Sequence, residues 1–325
     1  MEEIERAHER LDNIRGVKPI LNGLRTISLG SWQAALKRRS STRDYAERLE
    51  AMLPPLMPHL LAERPRLDGS LYGVKRSSAR ESTRASGTAG RAPDSGARRV
   101  TALVIGSERG LCGRFNVAVA GETERYLTKR SADEVRVNLE VLGSRAQRAL
   151  SRRAVEAEQA GTLAVTTLPP LSLAFQLARR WLTAYEEGNI DAVDLIYNDY
   201  RGTGTYEPTV KRLIPPQLPT VDPSRTRLDV STARPASFPP PIVDTDPLSL
   251  YARVAEQWTS VQLYNVLLDS SAAEHATRFQ LMESATQNAD ELIEELTLVI
   301  QTARRQEITQ EMAELAAGAG LLGVD

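Results

Sequence analysis

The chain has 325 residues, 41% hydrophobic and 26% charged, with 41 Lys and Arg against 42 Asp and Glu. That length supports one or two domains with a buried core, and the near-zero charge balance gives no electrostatic footprint for nucleic acid. A single cysteine, Cys112, excludes an intrachain disulfide framework and a multi-cysteine metal site, and no apolar run reaches the roughly 18 residues of a membrane span.

The chain opens on Met1-Glu2-Glu3-Ile4-Glu5, without the apolar core of a secretory signal or the acid-poor character of a transit peptide, which predicts a cytoplasmic protein. Apolar residues then recur at helical spacing: Ile4, Ala7, Leu11, Ile14, Leu21, Leu24, Ile27, Ala34, Ala35, Tyr45, Leu49 and Met52. They predict a long helix within an N-terminal coiled-coil segment, residues 1–64. Pro19 costs such a helix about 3 kcal/mol and predicts a kink. Pro54, Pro55 and Pro58 predict that regular helix ends within a turn or two of Met52. Residues 65–99 turn to Ser, Arg, Gly, Ala and Thr, a composition too poor in apolar surface to offset ordering entropy, and are read as a flexible basic linker.

Residues 100–215 alternate apolar β-branched runs with helical patterns. Strands are predicted over 100–106, 135–142, 163–167, 192–197 and 209–214, and helices over 116–129, 144–153 and 172–188. That alternation predicts a small α/β sheet layered by helices. Residues 216–247 are dense in proline and form an extended connector.

The last segment, 248–325, contains neither glycine nor proline from Leu248 to Ala317. Stepping four and three residues alternately from Val254 gives Val254, Trp258, Val261, Asn265, Leu268, Ala272, His275, Phe279, Met282, Thr286, Ala289, Ile293, Leu296, Ile300 and Ala303. All but Asn265, His275 and Thr286 are apolar. A seam of this period specifies a left-handed coiled coil, and its only long candidate partner in the chain is the N-terminal helix. The fold class is therefore α/β plus a long antiparallel coiled coil: the two ends form a hairpin shaft, with the small α/β sheet domain inserted between them.

Two segments resemble the γ subunit family of F-type ATP synthases. One is Val100-Thr-Ala-Leu-Val-Ile-Gly-Ser-Glu-Arg-Gly-Leu-Cys-Gly-Arg-Phe-Asn116, similar to the family's strand and Ser-Asp-Arg-Gly-Leu-Cys-Gly-Gly-Phe-Asn turn. The other runs from Glu274-His-Ala-Thr-Arg278 through Ala285-Thr-Gln-Asn-Ala289 to Ala303-Arg304, Ile308-Thr-Gln-Glu311 and Ala317-Gly318-Ala319. A weaker match is Ile14-Arg15-Gly16-Val17-Lys18 with Leu36-Lys37-Arg38-Arg39. The chain departs from the family pattern at Glu108, Arg114 and Arg305, along Pro19, Gly23, Leu29, Gly30 and Trp32, and in the 65–99 insertion, which lacks the cysteine pair of photosynthetic members. Those departures imply a divergent bacterial form, of the kind carried by alternative second-copy F-type ATPases.

The resemblance implies a central rotor stalk without a catalytic site or cofactor of its own. Implied partners are the α and β subunits of the catalytic ring, the ε subunit and the c-subunit ring, on the cytoplasmic face of the bacterial inner membrane as a peripheral subunit. It further implies that Arg278, Arg304, Thr309 and Glu311 meet the catalytic ring. Without the resemblance, Arg304 and Arg305 read as solvated charges that complement the helix dipole. Likewise the excess of acidic over basic residues along 248–317 reads as a solvated face, and His275 as a core-edge residue rather than a pH sensor. Cys112 could be a nucleophile at a strand-to-helix turn, but no histidine base stands near it in sequence, so a small structural residue is the expectation. The runner-up readings are a coiled-coil scaffold carrying an α/β module and a thiol enzyme using Cys112.

Overall fold

The computed structural model describes residues 2–62, 99–163, 167–215 and 246–318. In chain order these form α1 (Glu2–Ala62), β1 (Arg99–Ile105), α2 (Phe115–Ala132), β2 (Arg136–Leu142), α3 (Ser144–Ser151), β3 (Glu158–Gly161), α4 (Leu171–Glu186), β4 (Ala192–Gly202), β5 (Thr205–Ile214) and α5 (Pro247–Gly318). They pack as two compact units, Ser31–His275 and Met1–Gly30 with Ala276–Asp325. Both long helices contribute to both units.

In the larger unit the strands lie in the order β3-β2-β1-β4-β5. β1 pairs parallel with β2 and with β4, β2 pairs parallel with β3, and β4 and β5 form an antiparallel hairpin. Central parallel strands are covered on both faces, which is why β1 reads as a near-continuous apolar run, interrupted by the buried Thr101, with only Arg99 exposed. One face packs on α2 and α3 through Ala102, Val104, Val119, Leu139, Leu150 and Ile196. The other packs on α4 and α5 through Leu103, Trp181, Leu195, Ile214, Leu263 and Leu267.

In this unit α5 is buried from two sides, because it also meets α1 through Ala46, Leu49, Val254, Trp258 and Val261. Small polar residues fit the crowded stretch by bonding back to their own helix: Thr259 donates to the Ala255 carbonyl and Ser260 to the Glu256 carbonyl, each at 2.8 Å. Across the pair, Trp258 Nε1 donates to Glu50 Oε1 at 2.9 Å and Arg39 Nε lies 2.6 Å from Asp269 Oδ1.

In the smaller unit, beyond the buried Ala276 and Arg278, full burial on α5 is confined to the seam. Met282, Thr286 and Ala289 are buried and Ile293, Leu296, Ile300 and Ala303 are partly so, while Glu291, Leu292, Glu294, Glu295, Leu298 and Val299 are exposed. Lys18 pairs with Asp290, and Arg25 Nη1 lies 2.6 Å from Glu283 Oε2. Residue numbers rise on one helix as they fall on the other, so the pairing is antiparallel within each unit. Cations of α1 meet anions of α5 at positions seven apart or multiples of seven, so part of the acidic excess on α5 faces α1 instead of forming a purely solvated face.

Four expectations need correction or narrowing. α1 continues to Ala62, nearly three turns beyond Met52, through Pro54, Pro55 and Pro58. Proline's fixed φ is itself helical, so each ring removes a ladder bond without forcing an end. The third strand is Glu158–Gly161 and not 163–167, of which 164–166 lie outside the described residues. β4 and β5 extend to meet across a turn at Thr203-Gly204, making a longer hairpin than their apolar runs announced. The linker within 65–99 lies outside the described residues up to 98, as does most of the proline-rich connector.

Candidate functional site

Two places hold the residues singled out from sequence: the turn after β1 in the larger unit, and α5 in the smaller one. The turn is built on close approach. A Cβ on Gly106 would lie 2.3 Å from that of Ala146, and Gly143 adopts φ +102° with its backbone against Gly106. Only glycine at both positions lets the end of β1 cross the start of α3. The turn is then tied by its own polar groups. Ser107 N donates to Asn116 Oδ1 at 3.0 Å, Asn116 Nδ2 donates to Ser107 Oγ at 2.8 Å, and Ser107 Oγ donates to the Arg109 carbonyl at 2.7 Å.

Cys112 is buried in this turn against Phe115 and Ala273. Its sulfur lies 3.4 Å from Asn116 Nδ2 and 3.5 Å from Ser107 Oγ. Such surroundings hold a thiol as a small space-filling group. Glu108, which stands where the resemblance expects Asp, accepts from Ser144 N and Leu163 N, each at 3.1 Å. Burial pushes its carboxyl upward, but those backbone donors outweigh the burial and hold it below the usual range. Glu108, Arg109 and His275 also line a cavity of about 20 Å³, room for about one water.

The four residues assigned to an interface all belong to the smaller unit, and the structure divides them. Arg278 is 4% exposed, beside the seam, so its guanidinium does not project from α5 as an outward contact would require. Arg304, Thr309 and Glu311 are exposed. Arg304 lies 26 positions beyond Arg278, about 39 Å at 1.5 Å per residue. The pairing of Lys18 with Asp290 carries on to set Glu5 opposite Ala303, so α5 passes out of reach of α1 near Arg304. Every residue from Arg304 to Leu315 is exposed.

At 3.6 residues per turn, Arg304 and Glu311 lie about 20° apart around the helix, whereas Arg304 and Thr309 lie about 140° apart. Arg304, Ile308, Glu311 and Leu315 form one face; Arg305, Thr309 and Met312 form the next. Thr309 Oγ1 already donates to the Arg305 carbonyl at 2.7 Å. The sequence analysis names Ile308 only within its motif and passes over Met312 and Leu315; the three are 53%, 66% and 71% exposed. Their signal was available: apolar residues persist at four- and three-residue steps beyond the point where α1 can cover them. Exposed apolar side chains set among charged ones at a helix end are the kind of surface that partner proteins cover. Among the described residues no helix is long and apolar enough to cross a membrane.

Residues 3–322 match the protein family described as ATP synthase. The chain is 28% identical to the ATP synthase gamma chain of a Synechococcus strain across 99% of each chain, and 28% identical to that of Rubrobacter xylanophilus across 96% of each. Among solved structures it is similar in fold to a chain of the Euglena gracilis mitochondrial ATP synthase, OSCP/F1/c-ring, in rotational state 3. That match has a TM-score of 0.54 at 15% identity and covers 100% of this chain and 97% of the other. A chain of the rotor of the same assembly in rotational state 1 matches with a TM-score of 0.52 at 13% identity, covering 94% and 99%.

Proposed function

The chain belongs to the ATP synthase γ-chain family, the central-stalk subunit of F-type ATP synthases, and from that premise we propose that the exposed end of α5 is where its rotation is felt by a catalytic ring of α and β subunits. The observation that carries this reading is the run from Arg304 to Leu315, which leaves the seam and presents both charge and apolar surface. Each orientation of that end would favour one conformation of each surrounding site, and differential contact of this kind is how binding free energy is coupled between distant places. The α/β unit would dock on the ε subunit and the c-subunit ring, at the cytoplasmic face of the bacterial inner membrane. Nucleotide chemistry belongs to the partners; the chain contributes mechanical coupling and no catalytic group.

Arg304 and Glu311 on one face and Thr309 on the next would meet different sides of the ring, while Arg278 would act from within its own helix pair. A guanidinium facing a carboxylate in a partly desolvated interface makes a charge-assisted bond worth roughly 1.5–3 kcal/mol. The test is Arg304→Ala in the complex reconstituted with α and β subunits. ATP turnover, or its coupling to ion transport, should fall severalfold while the free chain keeps its helix content, since alanine is favoured at an exposed helical position. A variant complex that assembles, hydrolyses and pumps like wild type returns Arg304 to a solvated helix-end charge.

A further inference from the structure

The two helices of the smaller unit are built to very different standards. Between the buried residues Leu11 and Ser28, no residue of α1 is buried; Ile14, Leu21 and Leu24 reach only partial cover. The same stretch carries Gly16, Pro19 and Gly23. Neither glycine is required by packing, because a Cβ at Gly16 or Gly23 would meet nothing within 4 Å. Relative to alanine, each glycine lowers helix formation about fivefold and the proline by a hundredfold or more.

Little offsets those losses. The ion pairs of Lys18 with Asp290 and Arg25 with Glu283 join side chains 35–47% exposed, where such pairs are weak. Ile20, Ile27 and Val17 are exposed and add no burial. The facing stretch of α5, 281–296, holds neither glycine nor proline and buries Met282, Thr286 and Ala289.

We propose that residues 12–27 of α1 form a locally opening segment, which unfolds from the helix pair while α5 stays helical opposite it. Opening then uncovers the Met282, Thr286 and Ala289 face of α5 without breaking the helix that carries Arg304. The pair is therefore not one cooperative rod: α1 yields and α5 holds. Local opening of this kind is set by few buried contacts and poor helix propensity, both found on one side only.

Hydrogen exchange of the full chain, read by mass spectrometry on peptides spanning 12–27 and 281–296, tests this. The α1 peptide should exchange at least about tenfold faster than the α5 peptide. Gly16→Ala with Gly23→Ala should slow the α1 peptide about thirtyfold and leave the α5 peptide unchanged, and Pro19→Ala should slow it further. Equal rates for the two peptides in wild type, or a slowing shared equally by both in the variants, overturns the proposal.

Discussion

Replacing Asp269 with asparagine should remove a pH dependence that the larger unit carries toward neutral solution. Asp269 lies on α5 and is 8% exposed, with Arg39 of α1 beside it and Asp199, Lys211 and Arg43 close enough to be felt. Its Oδ1 is 2.6 Å from Arg39 Nε, yet accepts no aligned hydrogen bond. Burial therefore dominates the attraction of Arg39, Asp199 adds repulsion, and the carboxyl is pushed up from 3.8 to about 6. Folding thus favours the protonated form. The stabilising contribution is fully present below about pH 4 and is lost as pH rises through about 6. At 1.36 kcal/mol per pH unit, that loss is about 3 kcal/mol. The amide of the variant does not titrate, so Asp269→Asn should gain stability relative to wild type by an amount approaching this figure between about pH 4 and pH 7. Urea unfolding of both chains across that range reads the difference directly. A difference that stays flat, or that grows in favour of wild type with rising pH, would show that Arg39 compensates the buried charge and refute the reasoning.

Gly143→Ala should destabilise the chain by about 1–3 kcal/mol, because a side chain there is strained at positive φ and its Cβ would lie 2.8 Å from the Gly106 carbonyl carbon; urea unfolding checks it, and a neutral effect would mean the turn shifts freely. Leu263→Ala, at a fully buried position between α5 and the sheet, should cost about 2–5 kcal/mol by the same assay. Cys112→Ala should preserve most ATPase coupling in the assembled enzyme, and the wild-type thiol, 2% exposed, should react with a disulfide reagent only on unfolding. Abolished turnover in an intact Cys112→Ala complex would give the thiol a part in function.

The seam of α5 was legible because a 3.5-residue repeat survives any detail of the partner. Positions from Val254 to Ala303 that the repeat selects are buried or partly buried along its whole length. The register against α1 was also written in the sequence, as Lys18, Arg25 and Arg39 against Asp290, Glu283 and Asp269, but charges at heptad spacing read equally well as solvent-facing until the partner helix is in place. Periodicity did not reveal that α5 is buried on a second side between Thr259 and Ala273, since Ser260, Ser270 and Ser271 disguise that face as polar. β3 escaped because Glu158-Gln-Ala-Gly161 has no apolar run: an edge strand is held by ladder bonds to β2, not by its own side chains.

At the candidate site, the resemblance named Arg278, Arg304, Thr309 and Glu311 alike and did not separate the buried Arg278 from the three exposed residues. A motif position does not say which way a side chain faces, and packing beside the seam buries Arg278. Glu108 shows the reverse. It reads as a mild departure in sequence, whereas its carboxylate reaches two backbone donors, Ser144 N and Leu163 N, that tie the turn after β1 to two other segments.

The central claim is that this chain turns as a stalk inside a catalytic ring. A probe attached to the thiol of a Thr203→Cys variant, on the exposed tip of the β4–β5 turn, would report its angle in single complexes formed with α and β subunits and fixed to a surface. The account predicts unidirectional rotation of the probe that starts with ATP and whose rate follows hydrolysis. Sustained hydrolysis under a stationary probe would contradict it.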